Sequence, residues 1–276
     1  MRITKGALGL ALAVSLASAQ ETPPPQQPAA PAAPPASGAQ EVPLPALYKS
    51  LAEKNHYAVV EGLKSAQADV KCGILDTVIA AFPDAAGKPI AVKFYWSRPD
   101  ENSAPKKKFV VSGVPESLTD LSNRAAIIFQ DAEFVINDPV YWEIARRNAS
   151  ATSEGGLIKM MATPKDPADP VKNLTVEVDG ADYRVRKIEY DLGQMRIDVV
   201  ITAKDLGGKW AIESQTVNRP DVKKVYSFEY VETGGFWLPA KISMQTLGPD
   251  GKELQPIFLY EFSNWQVNQP LPEGAI

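Results

Sequence analysis

The sequence predicts a mostly β protein, built as one large, strongly curved antiparallel sheet with a few helices against one face. From Leu157 onward, apolar and polar residues alternate with a period of two in one long segment after another. Turn-forming pairs such as Asp179-Gly180 and Gly207-Gly208 separate these segments, which indicates a meander of strands joined by tight turns. Helical spacing is confined to the first half of the chain, so its helices are available to cover one face of the sheet.

The helices are predicted in three places. Residues 44–66 have helical spacing, interrupted at Asn55-His56, and a second helix starts at Pro115. A short helix over residues 139–147 has Pro139 in its first turn. Residues 70–78 are ambiguous, and their content of Val, Ile and Thr favours a strand.

The strands fall into two groups. Before the meander, Val92, Phe94 and Trp96 alternate with Lys93 and Tyr95, and residues 109–111 form a second short strand. Within the meander the alternating apolar set is Leu174, Val176, Val178, Met195, Ile197, Val199, Ile201, Tyr226, Phe228, Tyr230, Phe236, Leu238, Ala240, Ile242, Met244, Phe258, Tyr260 and Phe262.

The N-terminus has the features of an export signal. Arg2 and Lys5 precede an apolar run at residues 7–17, and Ala17-Ser18-Ala19 is a cleavage pattern, so residues 1–19 are predicted to be a signal peptide. The run is shorter than the roughly 20 residues that span a bilayer, and no transmembrane segment is predicted elsewhere. The expected location is therefore the periplasm, or outside the cell, within the bacterial envelope.

The residues after the signal divide into a linker and one domain. Residues 20–45 are rich in Pro, Ala and Gln and are predicted to be a disordered linker, either a tether or a tolerated tail. Residues 46–276 form the predicted β-domain. The single cysteine, Cys72, excludes an internal disulfide and is expected to be a small buried side chain. The net charge of −4 argues against nucleic acid as a partner.

Two short motifs carry a resemblance to a known family. Tyr95-Trp96-Ser97-Arg98-Pro99 is similar to the strand end of the LolA/LolB-like periplasmic lipoprotein carriers, the outer-membrane lipoprotein-sorting proteins. Met161-Ala162-Thr163-Pro164-Lys165, with the strands that follow it, is similar to a second segment of that family. The resemblance covers residues 44–203. The chain departs from the family pattern in its Pro-rich linker and in its extension from Trp210 to Ile276.

The resemblance implies an unclosed barrel with a helical lid and a hydrophobic cavity for the acyl chains of a lipoprotein or lipid. It also implies that Arg98 makes a polar contact at the lid. The predicted ligand-contacting residues are Val92, Phe94, Trp96, Arg98, Phe109, Val111 and Trp142. The alternatives are a surface position for Arg98 and an ordinary packed core for the aromatic residues. Trp210, Phe228 and Trp237 are likewise expected either to lie in a packed core or to line the cavity.

The chain lacks the patterns that carry most enzyme chemistry. His56 is the only histidine, so neither a Ser-His-Asp triad nor a Cys-His pair arises without it, and it is expected to be a solvated or capping residue. Phosphate-loop and dinucleotide-binding patterns are absent, and one Cys with one His does not make a zinc site. The prediction is a protein that is not an enzyme and needs no cofactor or metal, although a pair of carboxylates that meet only in space stays an open alternative.

Three functions follow, in order of preference. The first is a carrier or binding protein for lipoprotein acyl chains or another lipid-like hydrophobic ligand. The second is a non-catalytic structural or interaction protein of the cell envelope, with a fully packed sheet and an envelope protein as partner. The third is an enzyme. The basic run Lys106-Lys107-Lys108 is expected to be a solvated turn, or else to face a lipid headgroup or an acidic partner.

Overall fold

A computed structural model describes residues 38–82, 90–100, 103–114, 128–129 and 135–276. The predicted signal peptide, most of the predicted linker and most of the helix predicted from Pro115 lie outside these residues. Among the described residues, no helix is both long and apolar enough to cross a membrane.

Thirteen described strands form a single antiparallel sheet in the order β1-β5-β6-β7-β8-β9-β10-β11-β12-β13-β2-β3-β4. Nine consecutive strands, β5 to β13, are sequential neighbours, which confirms the predicted meander. The strands are β1 (Gln40–Glu41), β2 (Ser65–Cys72), β3 (Ala91–Ser97), β4 (Lys106–Ser112), β5 (Asn148–Glu154), β6 (Leu157–Thr163), β7 (Asn173–Asp179), β8 (Val185–Asp191), β9 (Arg196–Leu206), β10 (Lys209–Asn218), β11 (Lys223–Thr233), β12 (Phe236–Leu247) and β13 (Phe258–Val267).

The sheet is unclosed, because among the described strands β1 and β4 stand at opposite ends of the order and do not pair. The predicted fold class, a mostly β protein with a large antiparallel sheet and few helices, is therefore confirmed. Tight turns join its strands: Gly234 and Gly235, between β11 and β12, have φ values of 60° and 84°. A two-residue hairpin turn needs positive φ at both positions, which glycine adopts without a steric penalty.

Three helices accompany the described part of the sheet, namely α1 (Leu44–Lys54), α2 (Gly73–Ala80) and α3 (Val140–Ala145). Helix α1 ends where the interruption was predicted, because the Asn55 side chain donates to the carbonyl of Leu51 at 3.1 Å and closes the last turn. Helix α3 confirms the prediction of a short helix after Pro139. The last residues of the predicted linker are part of the fold, since Gln40 and Glu41 pair with β5.

Two predictions of local structure were wrong. The strand favoured for residues 70–78 ends at Cys72, and helix α2 follows. Cys72 is the last β2 residue paired with β13, and beyond that point the chain meets its backbone hydrogen bonds by forming a helix. The basic run at residues 106–108 is not a turn but the start of β4, where lysines suit a strand at the end of a sheet.

The concave face of the sheet is filled tightly at the β13-β2-β3-β4 end. Phe94 lies 4.9 Å from Phe109 between ring centroids, and Phe109 stacks on Phe129 at the same distance. Tyr260 adds a hydrogen bond of 2.6 Å from its hydroxyl to the carbonyl of Ile128. Large aromatic side chains therefore leave this part of the face fully packed.

Candidate binding cavity

The other part of the concave face, along strands β8 to β12, encloses a cavity of about 210 Å³. Its walls on the sheet are mostly aliphatic: Val185, Ile188, Val199, Ile201, Val217 and Leu238. Trp210 and Trp237 also line it, so these two aromatic residues belong to the cavity rather than to the packed core. Aliphatic and aromatic side chains thus share the sheet side of the cavity, since Tyr190 and Tyr230 line it as well.

A short segment covers the cavity on the side opposite the sheet. Residues 135–139 and helix α3, here called the cover segment, contribute Val135, Pro139 and Val140 to the lining. The end of α1 supplies His56 and Tyr57 from a second direction. The cavity therefore lies between the sheet and two separate pieces of chain, of which the piece after α1 is bridged to β10 through Asn55 and Trp210.

Arg98 fastens the cover segment to the end of β3. Its guanidinium forms an ion pair with Asp138, a cavity-lining residue, and lies 5.0 Å from the ring centroid of Trp142. Arg98 is only 4% exposed, so it is not the surface residue of the alternative interpretation. Burial raises the pKa of Asp138, and the charge of Arg98 opposes this shift. Arg98 thus acts on the cavity through the cover segment.

A second arginine fixes the other end of α3. Arg147 donates to the carbonyl of Val171 at 3.0 Å and pairs with Glu143 at 3.3 Å and with Asp169 at 2.9 Å. Asp169, which the sequence places in a turn, therefore holds the helix. Burial raises the pKa of Glu143, which also lines the cavity. The cover segment is held at both ends by charged contacts.

The piece of chain after α1 is fastened by the Glu61 cluster, which consists of His56, Glu61 and Lys209. Nε2 of His56 donates to the carbonyl of Trp237 at 2.7 Å, and Nδ1 lies 3.0 Å from a Glu61 oxygen. Lys209 reaches Glu61 at 2.7 Å. Burial alone would raise the pKa of Glu61, but hydrogen bonds and charges from His56 and Lys209 together lower it. His56 is therefore a buried bridging residue rather than a solvated one.

The residues predicted to contact a ligand lie together but outside the cavity lining. Val92, Phe94 and Trp96 share one buried face of β3, and Val111 and Phe109 pair with the first two across the β3–β4 ladder. Trp142 stands on α3 beside Arg98. None of these residues, Arg98 included, lines the cavity, although Arg98 holds one that does. As ligand contacts they stay a prediction.

Strand β10 is not indicated by alternation in the sequence. It supplies Trp210, Ile212, Gln215 and Val217 to the cavity. Its inward residues do not keep a period of two, because the register shifts between Ile212 and Ser214. A β-bulge adds one residue to one strand and so moves later side chains to the opposite parity.

The site offers binding rather than an evident reaction. Within the described residues, no group of three His, Cys, Asp or Glu side chains is placed to hold a metal ion. The carboxylates that line the cavity, Asp138 and Glu143, are each engaged by an arginine. What the arrangement presents is a largely apolar space with a few polar groups under the cover segment.

Comparisons with known proteins give matches only at the level of structure. No family model matches the chain, and no curated protein matches it. A crystal structure from Vibrio parahaemolyticus, described as an outer membrane lipoprotein-sorting protein domain, is 11% identical with a TM-score of 0.37, covering 83% of this chain and 93% of that one.

A LolA superfamily protein from Nitrosomonas europaea is 12% identical with a TM-score of 0.27, covering 84% of this chain and 96% of that one. Both TM-scores lie below 0.5, so the function has to be derived from this chain's own cavity. The chain is similar to two structures whose descriptions name the same kind of protein that its two sequence motifs resemble.

Proposed function

We propose that this protein is a non-catalytic carrier or binding protein of the bacterial periplasm, and that its ligand is the acyl chain of a lipoprotein or another lipid-like hydrophobic molecule. The observation that supports it is the aliphatic cavity of about 210 Å³ between strands β8 to β12 and the cover segment. Burying an acyl chain there contributes about 0.8 kcal/mol for each methylene group removed from water.

The size of the cavity limits what it holds with the cover segment in place. Ligand sites commonly measure about 300–1,000 Å³, and this cavity is smaller. It therefore accepts part of an acyl chain, and a larger ligand requires the cover segment to move. Such movement would break the ion pairs of Arg98 and Arg147, whose carboxylate partners are partly exposed and regain water when the pairs open.

The experiment is displacement of a neutral fluorescent probe, N-phenyl-1-naphthylamine, from the purified protein by acyl compounds, together with mass spectrometry of lipids that co-purify from the envelope. Ile201 lines the cavity, whereas its neighbour Val200 is 46% exposed on the same strand. We expect Ile201→Trp to fill the cavity and abolish probe binding, and Val200→Trp to leave it intact. If the wild-type protein binds neither probe nor lipid, the proposal is wrong.

A second candidate function rests on the packed half of the sheet. Around Phe94 and Phe109 the concave face is filled, as expected for a structural or interaction protein of the envelope. A negative result in the probe experiment would favour this function, and the search would then turn to an envelope protein partner recovered by cross-linking.

A further inference from the structure

The cavity contains one polar side chain that its apolar surroundings do not explain. Gln215 points inward from β10, is 6% exposed and lines the cavity. Its neighbours across the ladders are Ile201 on β9 and Tyr226 on β11. Within the described ranges no protein group hydrogen-bonds the Gln215 amide. A buried amide without a partner costs about 1–3 kcal/mol, so this position is unfavourable unless something else in the cavity satisfies it.

Two phenol groups border the same space. Tyr190 on β8 is 8% exposed, and Tyr57 approaches from the chain after α1. In the described part of the chain neither hydroxyl has a protein partner. Burial raises the pKa of both groups, so they remain neutral hydroxyls that donate or accept hydrogen bonds. Besides Asn55 and Asn137, the cavity lining therefore includes three polar side chains, Gln215, Tyr57 and Tyr190, that offer hydrogen bonds without charge.

The charged groups in the lining disfavour an anionic ligand. Asp138 and Glu143 both line the cavity, and neither lysine nor arginine is found among its described lining residues. The His56 ring is occupied by Glu61 and the Trp237 carbonyl. A ligand carboxylate or phosphate would thus find no cation among the described lining residues, because Arg98 and Arg147 are already paired with Asp138 and Glu143, and the cost of removing its charge from water would not be offset.

We infer that Gln215 is the polar anchor of the cavity, and that the ligand it selects is a neutral acyl ester or amide whose carbonyl accepts a hydrogen bond from the Gln215 side chain. This inference rests on the proposed function and specifies its ligand class. The Gln215 amide also accepts hydrogen bonds, which suits an adjacent ligand hydroxyl or N–H. Free fatty acids and phosphate headgroups are excluded from this position, and a plain hydrocarbon leaves the amide unsatisfied.

The test compares three ligands of equal chain length, namely monopalmitoylglycerol, palmitate and hexadecane, as competitors for the neutral probe at pH 7.5. We expect the ester to displace the probe at the lowest concentration. Gln215→Met keeps the length of the side chain and removes its amide, so it should weaken ester binding about 3- to 10-fold and leave hexadecane binding unchanged or tighter. Gln215→Glu should weaken binding of every ligand.

The matched control is Gln245→Met on β12, which removes a glutamine that instead hydrogen-bonds Glu253 at 2.6 Å on the exposed side. It should leave the ligand order unchanged. An independent readout is the melting temperature of the ligand-free protein, which Gln215→Met should raise because it removes an unsatisfied buried amide. If that variant does not fold, Gln215→Leu takes its place.

The outcomes separate the two proposals. Probe and hexadecane binding, with no preference for the ester and no change in Gln215→Met, would overturn the anchor and leave the carrier function standing. A wild-type protein that binds none of the ligands would overturn both.

Discussion

Replacing Arg98 by leucine removes the guanidinium that joins the end of β3 to the cover segment. The Arg98 side chain is 3% exposed and that of Asp138 is 39% exposed, so the strength of their ion pair lies between that of a fully buried pair and that of an exposed pair. Breaking a fully buried pair costs about 3–5 kcal/mol, whereas an exposed pair contributes about 0–1 kcal/mol. Because Asp138 regains water in the variant, we expect a loss of about 1–3 kcal/mol, with about 0.5–2 kcal/mol more from the contact with Trp142.

This loss should be concentrated in the cover segment. Hydrogen exchange over residues 135–145 should accelerate by about 10- to 100-fold in Arg98→Leu, since 1.4 kcal/mol corresponds to a factor of ten. Exchange in β6 and β7 should change little. If opening of the cover segment limits ligand exit, release of the fluorescent probe should accelerate by a similar factor in stopped-flow measurements.

The controls separate this fastening role from a general stability effect. Arg219 pairs with Asp221 at 3.3 Å in the turn between β10 and β11, so Arg219→Leu removes an arginine–aspartate pair elsewhere. It should leave exchange in residues 135–145 unchanged. Asp138→Asn tests the pair itself, and its effect should not add to that of Arg98→Leu. Equal exchange rates in the wild type and Arg98→Leu over residues 135–145 would refute the reasoning.

Three further predictions concern the rest of the fold. The pKa of Glu61 is lowered in the folded state, so the ionised carboxylate stabilises the fold by about 1 kcal/mol at neutral pH, and this stabilisation is lost as the pH falls through the folded-state pKa. The melting temperatures of Glu61→Gln and the wild type should therefore differ at pH 7 and converge in acid. A difference in melting temperature that is the same at every pH would contradict this. Met160 is 0% exposed and Met161 is 52% exposed, so denaturant titration should show a loss of about 2–5 kcal/mol for Met160→Ala and under about 0.5 kcal/mol for Met161→Ala. A Cβ added at Gly180 would lie 2.8 Å from the Gly156 carbonyl oxygen, so Gly180→Ala should lower the melting temperature. A Cβ added at Gly73, in α2, would have no neighbouring atom within 4 Å, so Gly73→Ala should raise the melting temperature.

The sheet was predictable because its signal is local. Period-two alternation assigns β7, β9, β11, β12 and β13 from their own residues, and glycine turns give the order of neighbouring strands. The signal failed where local preference and neighbouring structure disagree. At residues 73–78, β-branched side chains favour a strand, but the loss of a pairing partner after Cys72 favours a helix. At Glu213, a bulge broke the alternation of β10.

Arg98 illustrates the part of the site that the sequence did indicate. The motif around Tyr95 and Pro99 singled out this arginine, although the sequence left a surface position open as an alternative. Its partner Asp138 was not predicted, because forty residues separate the two and their contact depends on how α3 lies over the sheet. The same holds for the Glu61 cluster, in which residues from two distant parts of the chain meet.

The sequence by itself determined that the chain folds as a curved antiparallel sheet with one buried face, and that the alternating apolar residues of strands such as β7 and β9 lie on that face. Only the tertiary structure decided which half of the face is filled and which is open. Phe94 packs against Phe109, and Phe109 stacks on Phe129, whereas Ile188 and Ile201 line the cavity. A cavity is the volume that side chains from distant segments fail to fill, and alternation along one strand carries no information about the size of the residues that will lie opposite.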